Sequence, residues 1–114
     1  MIDKSALERI SGIGGATLVG KMIDLFLTNA PQRLAAAREG EQRGNLKAVE
    51  QAVHSLKSSS GNLGAFGLME LAGRIEELAE ARQAEAIPPL LDELERRWEQ
   101  VKSLLEAEKK GLKS

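Results

Sequence analysis

Apolar residues recur at intervals of three and four through four long stretches of this chain, and glycine or proline punctuates each boundary. At 3.6 residues per turn that spacing puts one continuous apolar stripe on each of four helices, and every stripe must be covered by another. The clearest stripe is Leu46, Val49, Val53, Leu56, Ser60 and Leu63. Leu68, Leu71, Ile75, Leu78 and Ala79 form the next, and Ile87, Leu91, Leu94, Trp98, Val101 and Leu105 the last, both with the alternation of a bundle seam. Leu, Ala and Glu abound while β-branched and aromatic residues are sparse, which favours helix over strand.

The boundaries follow from local chemistry. Asp3 suits the N-cap of a short first helix carrying Leu7 and Ile10, which Gly12, Gly14 and Gly15 then end. In a bundle this helix is expected to act as a lid over one end. A phosphate-cradling loop is the alternative use of those glycines, but no Lys-Ser or Lys-Thr pair follows at the required spacing. From Ala16 the period resumes through Val19, Met22, Ile23, Phe26, Ala30, Leu34 and Ala37. Pro31 interrupts it, yet the stripe keeps its phase across the proline, predicting one bent helix rather than two. Gly40 and Gly44 bracket a turn, and Asn45 is placed to cap the third helix. That helix ends near Gly61 to Gly64, with Gly64 expected at positive φ, and the fourth starts close to Ala65. Gln83 to Ala86 form the next turn. Pro88 and Pro89 fit only the first turn of the fifth helix, and the charged tail from Glu108 to Ser114 is expected to fray.

The predicted fold is therefore all-α: one domain over residues 1–114, an antiparallel up-down-up-down four-helix bundle with a short extra N-terminal helix. A formal net charge of −1 with both signs interspersed provides no basic field for nucleic acid and no polybasic patch for a membrane surface. No cysteine is present, so disulfides and thiolate metal sites are excluded. The amino terminus lacks the apolar core of a signal peptide, and no uninterrupted apolar run is expected to span a bilayer, so the default compartment is the cytoplasm. Met1 and the polar tail suit a complete small protein.

The third helix carries the chemistry. His54 is the only histidine in the chain and lies about a third of a turn off the apolar stripe. Glu50, Lys57, Ser58 and Gly61 are its neighbours on the helix surface. An imidazole, a cation, a hydroxyl and bare backbone thus share one face. Imidazole, with a reference pKa of about 6.5, is largely neutral near pH 7 and is able to attack an acyl phosphate. Lys57 is placed to offset the added charge, Ser58 to donate a hydroxyl, and Gly61 to leave the surface flat for a close partner. Simpler roles compete with each. Lys57 suits an ordinary surface lysine, Ser60 suits packing, and Glu50 stands at the spacing to pair with His54, which would favour the protonated ring and slow attack. The di-iron bundle pattern needs a Glu-x-x-His pair on each of two helices, which one histidine cannot supply, so no metal is expected.

The motif His54-x-Leu56-Lys57-x-Ser59-Ser60-x-x-x-Gly64-Ala65 resembles the signature of histidine-phosphotransfer (HPt) domains, the four-helix bundles of two-component phosphorelays. The commonest family form has glycine directly after the lysine, where this chain has Ser58. The resemblance implies a cofactor-free phosphocarrier that passes a phosphoryl group between receiver-domain aspartates through His54. It also implies that Mg²⁺ and most of the catalytic apparatus belong to the receiver. Implied partners are receiver domains of response regulators or hybrid sensor kinases, met by a monomer through the third helix and part of the second or fourth. Phe66 or Leu68 would lend apolar contact, with core packing the stronger expectation for Leu68. Some members set a polar side chain of the fourth helix against the histidine, a place open here to Arg74 or Glu76. The rival reading is a helical adaptor that binds a signalling partner through the same face without chemistry.

Overall fold

The computed structural model describes residues 1–112, and among these every regular element is helical. The helices are α1 (Lys4–Gln42), α2 (Leu46–Asn62), α3 (Phe66–Glu80) and α4 (Ile87–Lys110), with a 3₁₀ turn at Ala84–Ala86 before α4. The two N-terminal helices expected from the sequence form α1, which breaks at Gly15 (φ 69°, ψ −170°). Pro31 lies inside it without a break, as the unbroken stripe predicts.

The caps form as the side chains dictate. Asp3 accepts from the Ser5 backbone N–H (2.9 Å) and Asn45 from that of Ala48 (3.1 Å), each satisfying a donor that the first helical turn leaves free. Gly64 stands at φ 78° between α2 and α3, and Pro88 and Pro89 sit in the first turn of α4. The N-terminal segment of α1 docks on the α2–α3 turn, where the Asp3 N–H donates to the Gly64 carbonyl (2.9 Å), and Leu7 and Ile10 are buried beneath it.

Packing proceeds around a ring, α1 on α2, α2 on α3, α3 on α4 and α4 back on α1. Ion pairs joining the middle and the C-terminal end of α1 to the C- and N-terminal ends of α4 fix their antiparallel sense. Lys109 meets Asp24, while Arg38 forks onto Asp92 and Glu95. Ile23, Val49, Leu56, Leu68, Ile75, Leu94 and Leu105 fill the centre, with the Phe26 and Trp98 rings edge to face at 5.3 Å. Leu68 is core, as expected, and Ser60 is fully buried in the α2 stripe with its hydroxyl unpartnered.

One expectation changes. The tail is helical to Lys110 because Lys109 and Glu108 are tied to Asp24 and Lys4, and Leu112 packs beside Gly20. Residues 113 and 114 of the expected frayed end lie outside the described residues. One stretch of α1 is long and apolar enough, by length and composition only, to cross a membrane, although Lys21 and Asp24 interrupt its apolar run as the sequence reading has it. Its mean hydropathy is 1.4 with 22% of it buried, and the helix leaves Ile13 and Leu25 exposed.

Candidate functional site

α2 presents His54 to solvent because the same helix buries Val49, Ala52, Val53 and Leu56 on its other side. The imidazole is 61% exposed. Its Nδ1 lies 2.6 Å from Oε2 of Glu76 on α3, and Nζ of Lys57 donates to the other oxygen, Oε1, at 2.7 Å. A single carboxylate thus holds both the ring and the ammonium. It is itself only 11% exposed at the side chain, so its charge acts on them with little water between.

Burial alone would push the Glu76 carboxyl up. The hydrogen bonds from Lys57 and then His54 outweigh that, and the group lies below the usual carboxylate range. The same bond raises Lys57 above the ordinary lysine value. An ionised carboxylate only accepts hydrogen bonds, so Nδ1 carries a proton. In the neutral ring the lone pair then resides on Nε2, the nitrogen that Glu76 does not engage.

The sign of the acid response follows. Because Glu76 is depressed in the fold, its stabilising contribution is full above the unfolded value of about 4.3 and is lost as pH falls through the lower folded value. Lys57 behaves oppositely, its contribution being present below about 10.4 and lost as pH rises through its raised value. Glu76→Gln is therefore expected to flatten the fall in melting temperature between about pH 5 and pH 3. Equal acid slopes in wild type and variant would contradict the arrangement.

α3 is shaped for this contact. A Cβ at Gly73 would come within 3.3 Å of the Lys57 Cδ, so the lysine stem crosses α3 over a glycine on its way to Glu76, one turn further on. The sequence left the place opposite the histidine open between Arg74 and Glu76. Arg74 is exposed, whereas Glu76 lies on the buried side of α3 with Ala72, Ile75 and Ala79. The signal was available: a carboxylate on the flank of an apolar stripe must find a partner. Gly73 carried no comparable signal.

Glu50 does not pair with His54. It lies 3.6 Å from Lys47, and the ring's Nδ1 is taken by Glu76. Ser58 is exposed on the same face of α2. Gly61 does not leave bare surface, because the Met69 sulfur occupies the space of a side chain there, 2.8 Å from a would-be Cβ. Lys57, Ser58, Gly61, Phe66, Met69 and Arg74 are among the residues lining a groove of about 730 Å³ between α2 and α3. On the other flank of α2, Met22, Leu25 and Asn29 of α1 line a smaller groove of about 220 Å³ with Ser59 and Asn62.

Comparison with known proteins bears on the family and the fold. The family model for the Hpt domain matches residues 21–104. No curated protein matches the chain. Among solved structures, the crystal structure of histidine-containing phosphotransfer protein B (HptB) from Pseudomonas aeruginosa PAO1 superimposes with a TM-score of 0.93 at 24% identity. The match covers 98% of this chain and 96% of that one.

Proposed function

Because this chain belongs to the Hpt domain family, we propose that His54 is the residue through which it carries a phosphoryl group, taking it from one receiver-domain aspartate and yielding it to another. The observation that carries this reading is the exposed imidazole whose Nδ1 is engaged by a buried carboxylate. Such a ring is turned so that Nε2, with its lone pair, is the nitrogen free to meet phosphorus. Phosphoryl transfer asks a carrier for a nucleophile in line and positive charge near the equatorial oxygens, and little else.

Lys57 supplies the charge. Its ammonium is already within a hydrogen bond of the carboxylate that holds the ring, and a dianionic phosphoryl group on His54 competes with Glu76 for it. The chain acts as a phosphocarrier without catalysis of its own, with the receiver furnishing Mg²⁺ and the acyl phosphate. The receiver docks on the exposed face of α2, with Ser58 and Glu50 on that face and Gly61 at its edge. Apolar contact comes from Phe66 and Met69 on one side and from Met22 and the 62% exposed Leu25 on the other. A cytoplasmic monomer meets those requirements.

Incubation with a phosphorylated receiver domain tests the reading. Transfer is expected to leave an acid-labile, alkali-stable label on this chain, the behaviour of a nitrogen–phosphorus bond. Failure to acquire label from a panel of receivers would move the protein to the adaptor class. Lys57→Ala is expected to slow transfer or shorten the life of the phosphorylated state, while the bundle stays folded because the side chain is partly exposed. Unchanged transfer and lifetime would return Lys57 to a purely surface role.

A further inference from the structure

We propose that Glu76 keeps the Nδ1 proton of His54 in place through the whole phosphoryl exchange, so that the phosphorylated ring remains an imidazolium and departs as neutral imidazole. This rests on the reading of His54 as phosphoacceptor.

The proton and electron balance explains why a carboxylate matters at this position. As the group arrives, the Nε2 lone pair forms the N–P bond, and the P–O bond to the aspartyl carbonyl breaks. Its electron pair leaves on the aspartate carboxylate. The ring, which began with a proton on Nδ1 and a lone pair on Nε2, has become a phosphorylated imidazolium. Two fates are open to it. Without a counter-charge the Nδ1 proton is lost to solvent, and the neutral phosphorylated ring can release phosphorus only as an imidazolide anion, a poor leaving group. With Glu76 at 2.6 Å the cation is paired where it forms, and the proton stays. On donation the acceptor carboxylate forms its P–O bond, the N–P pair returns to Nε2, and neutral imidazole is left with Nδ1–H unchanged. The cycle then needs no proton from water in either direction.

Lys57 adjusts this hold. In the unphosphorylated protein it neutralises part of the Glu76 charge through Oε1. Once the ammonium moves to the phosphoryl oxygens, the full carboxylate charge falls on Nδ1–H, when the ring is cationic and the proton most easily lost. The groups acting on Glu76 are His54 and Lys57, both from α2, while Glu77 and Glu80 of α3 act in turn on Lys57. Glu76 touches no phosphoryl oxygen in this scheme and is a positioning residue that works through the ring.

Glu76→Gln separates charge from geometry. The amide oxygen can still accept from Nδ1–H and the side chain keeps its shape, but the anion is gone and the N–H₂ that replaces Oε1 can no longer accept from Lys57. Wild type and variant are loaded from the same labelled receiver, purified, and mixed with fresh receiver and Mg²⁺, and the single-turnover donation rate is read from pH 6 to pH 9. The ratio of the two rates cancels the receiver's own titration. The variant is expected to donate roughly tenfold to a hundredfold more slowly at the alkaline end and to approach wild type as pH falls and water supplies the proton. Glu76→Asp, which restores the anion, is expected to recover part of the alkaline rate. In ¹⁵N spectra of the phosphorylated proteins, the protonated Nδ1 signal should persist to higher pH in wild type than in Glu76→Gln. A variant as fast as wild type at every pH, or slowed by one constant factor throughout, would overturn the proposal and leave His54 as the carrier. Wild type that takes no label would instead remove the reading beneath it.

Discussion

Replacing His54 with glutamine is expected to reduce phosphoryl label from any receiver to background while the bundle melts within about 1 kcal/mol of wild type. The two halves of that expectation have separate causes. The imidazole is the only one in the chain, so no second ring can accept the group. Its exposure of 61% means that little packing is lost with it. Glutamine is the informative replacement because its amide N–H₂ can still donate to Glu76 and keeps that buried carboxylate from standing with Lys57 alone. Label measured by gel after alkaline treatment, beside a thermal melt of the same sample, checks both halves. Label retained in the variant would show that another residue carries the group. Lost label with a collapsed melt would show that the ring is structural.

The largest stability effect is expected at Gly64, where the α2–α3 turn receives the start of the chain. Alanine there meets two penalties at once. The backbone is at φ 78°, a region that disfavours a side chain, and the added Cβ would stand 2.4 Å from the Asp3 carbonyl oxygen and 3.0 Å from the Ala6 Cβ. Strain and overpacking together are expected to cost about 2–4 kcal/mol. Gly44 supplies the comparison, since it has a similar φ of 71° but open space around it. Gly44→Ala should therefore cost only about 1 kcal/mol, the conformational part. Urea denaturation of the two variants resolves the difference. Equal losses would mean that the N-terminal segment yields without cost and that its docking adds little to the fold. In molecules of Gly64→Ala that remain folded, His54 should still take label, because the ring is held by Glu76 of α3, which Lys57 pairs in turn, away from that turn.

Four helices, their order and most of their ends were legible in the sequence because each depends on short-range chemistry. Asp3 and Asn45 cap the turns they precede, Gly64 takes the positive φ its turn requires, and Pro31 sits within a stripe whose phase never changes. The face of α2 that carries His54, Lys57 and Ser58 followed from the same period, since a helix that buries Val49, Val53 and Leu56 must expose the opposite side. The motif around His54 named the family from those residues alone.

What faces His54 across the α2–α3 interface was decided only by tertiary structure. The rotation of α3 against α2 chose Glu76 over Arg74, drew Lys57 across Gly73, left Glu50 to Lys47, and seated Met69 where Gly61 had been read as open surface. Helical periodicity locates a residue around its own axis and says nothing of the phase between two axes. That phase is set by how the side chains of both helices interlock. Here it decides which nitrogen of the only histidine is held by a carboxylate and which is left free.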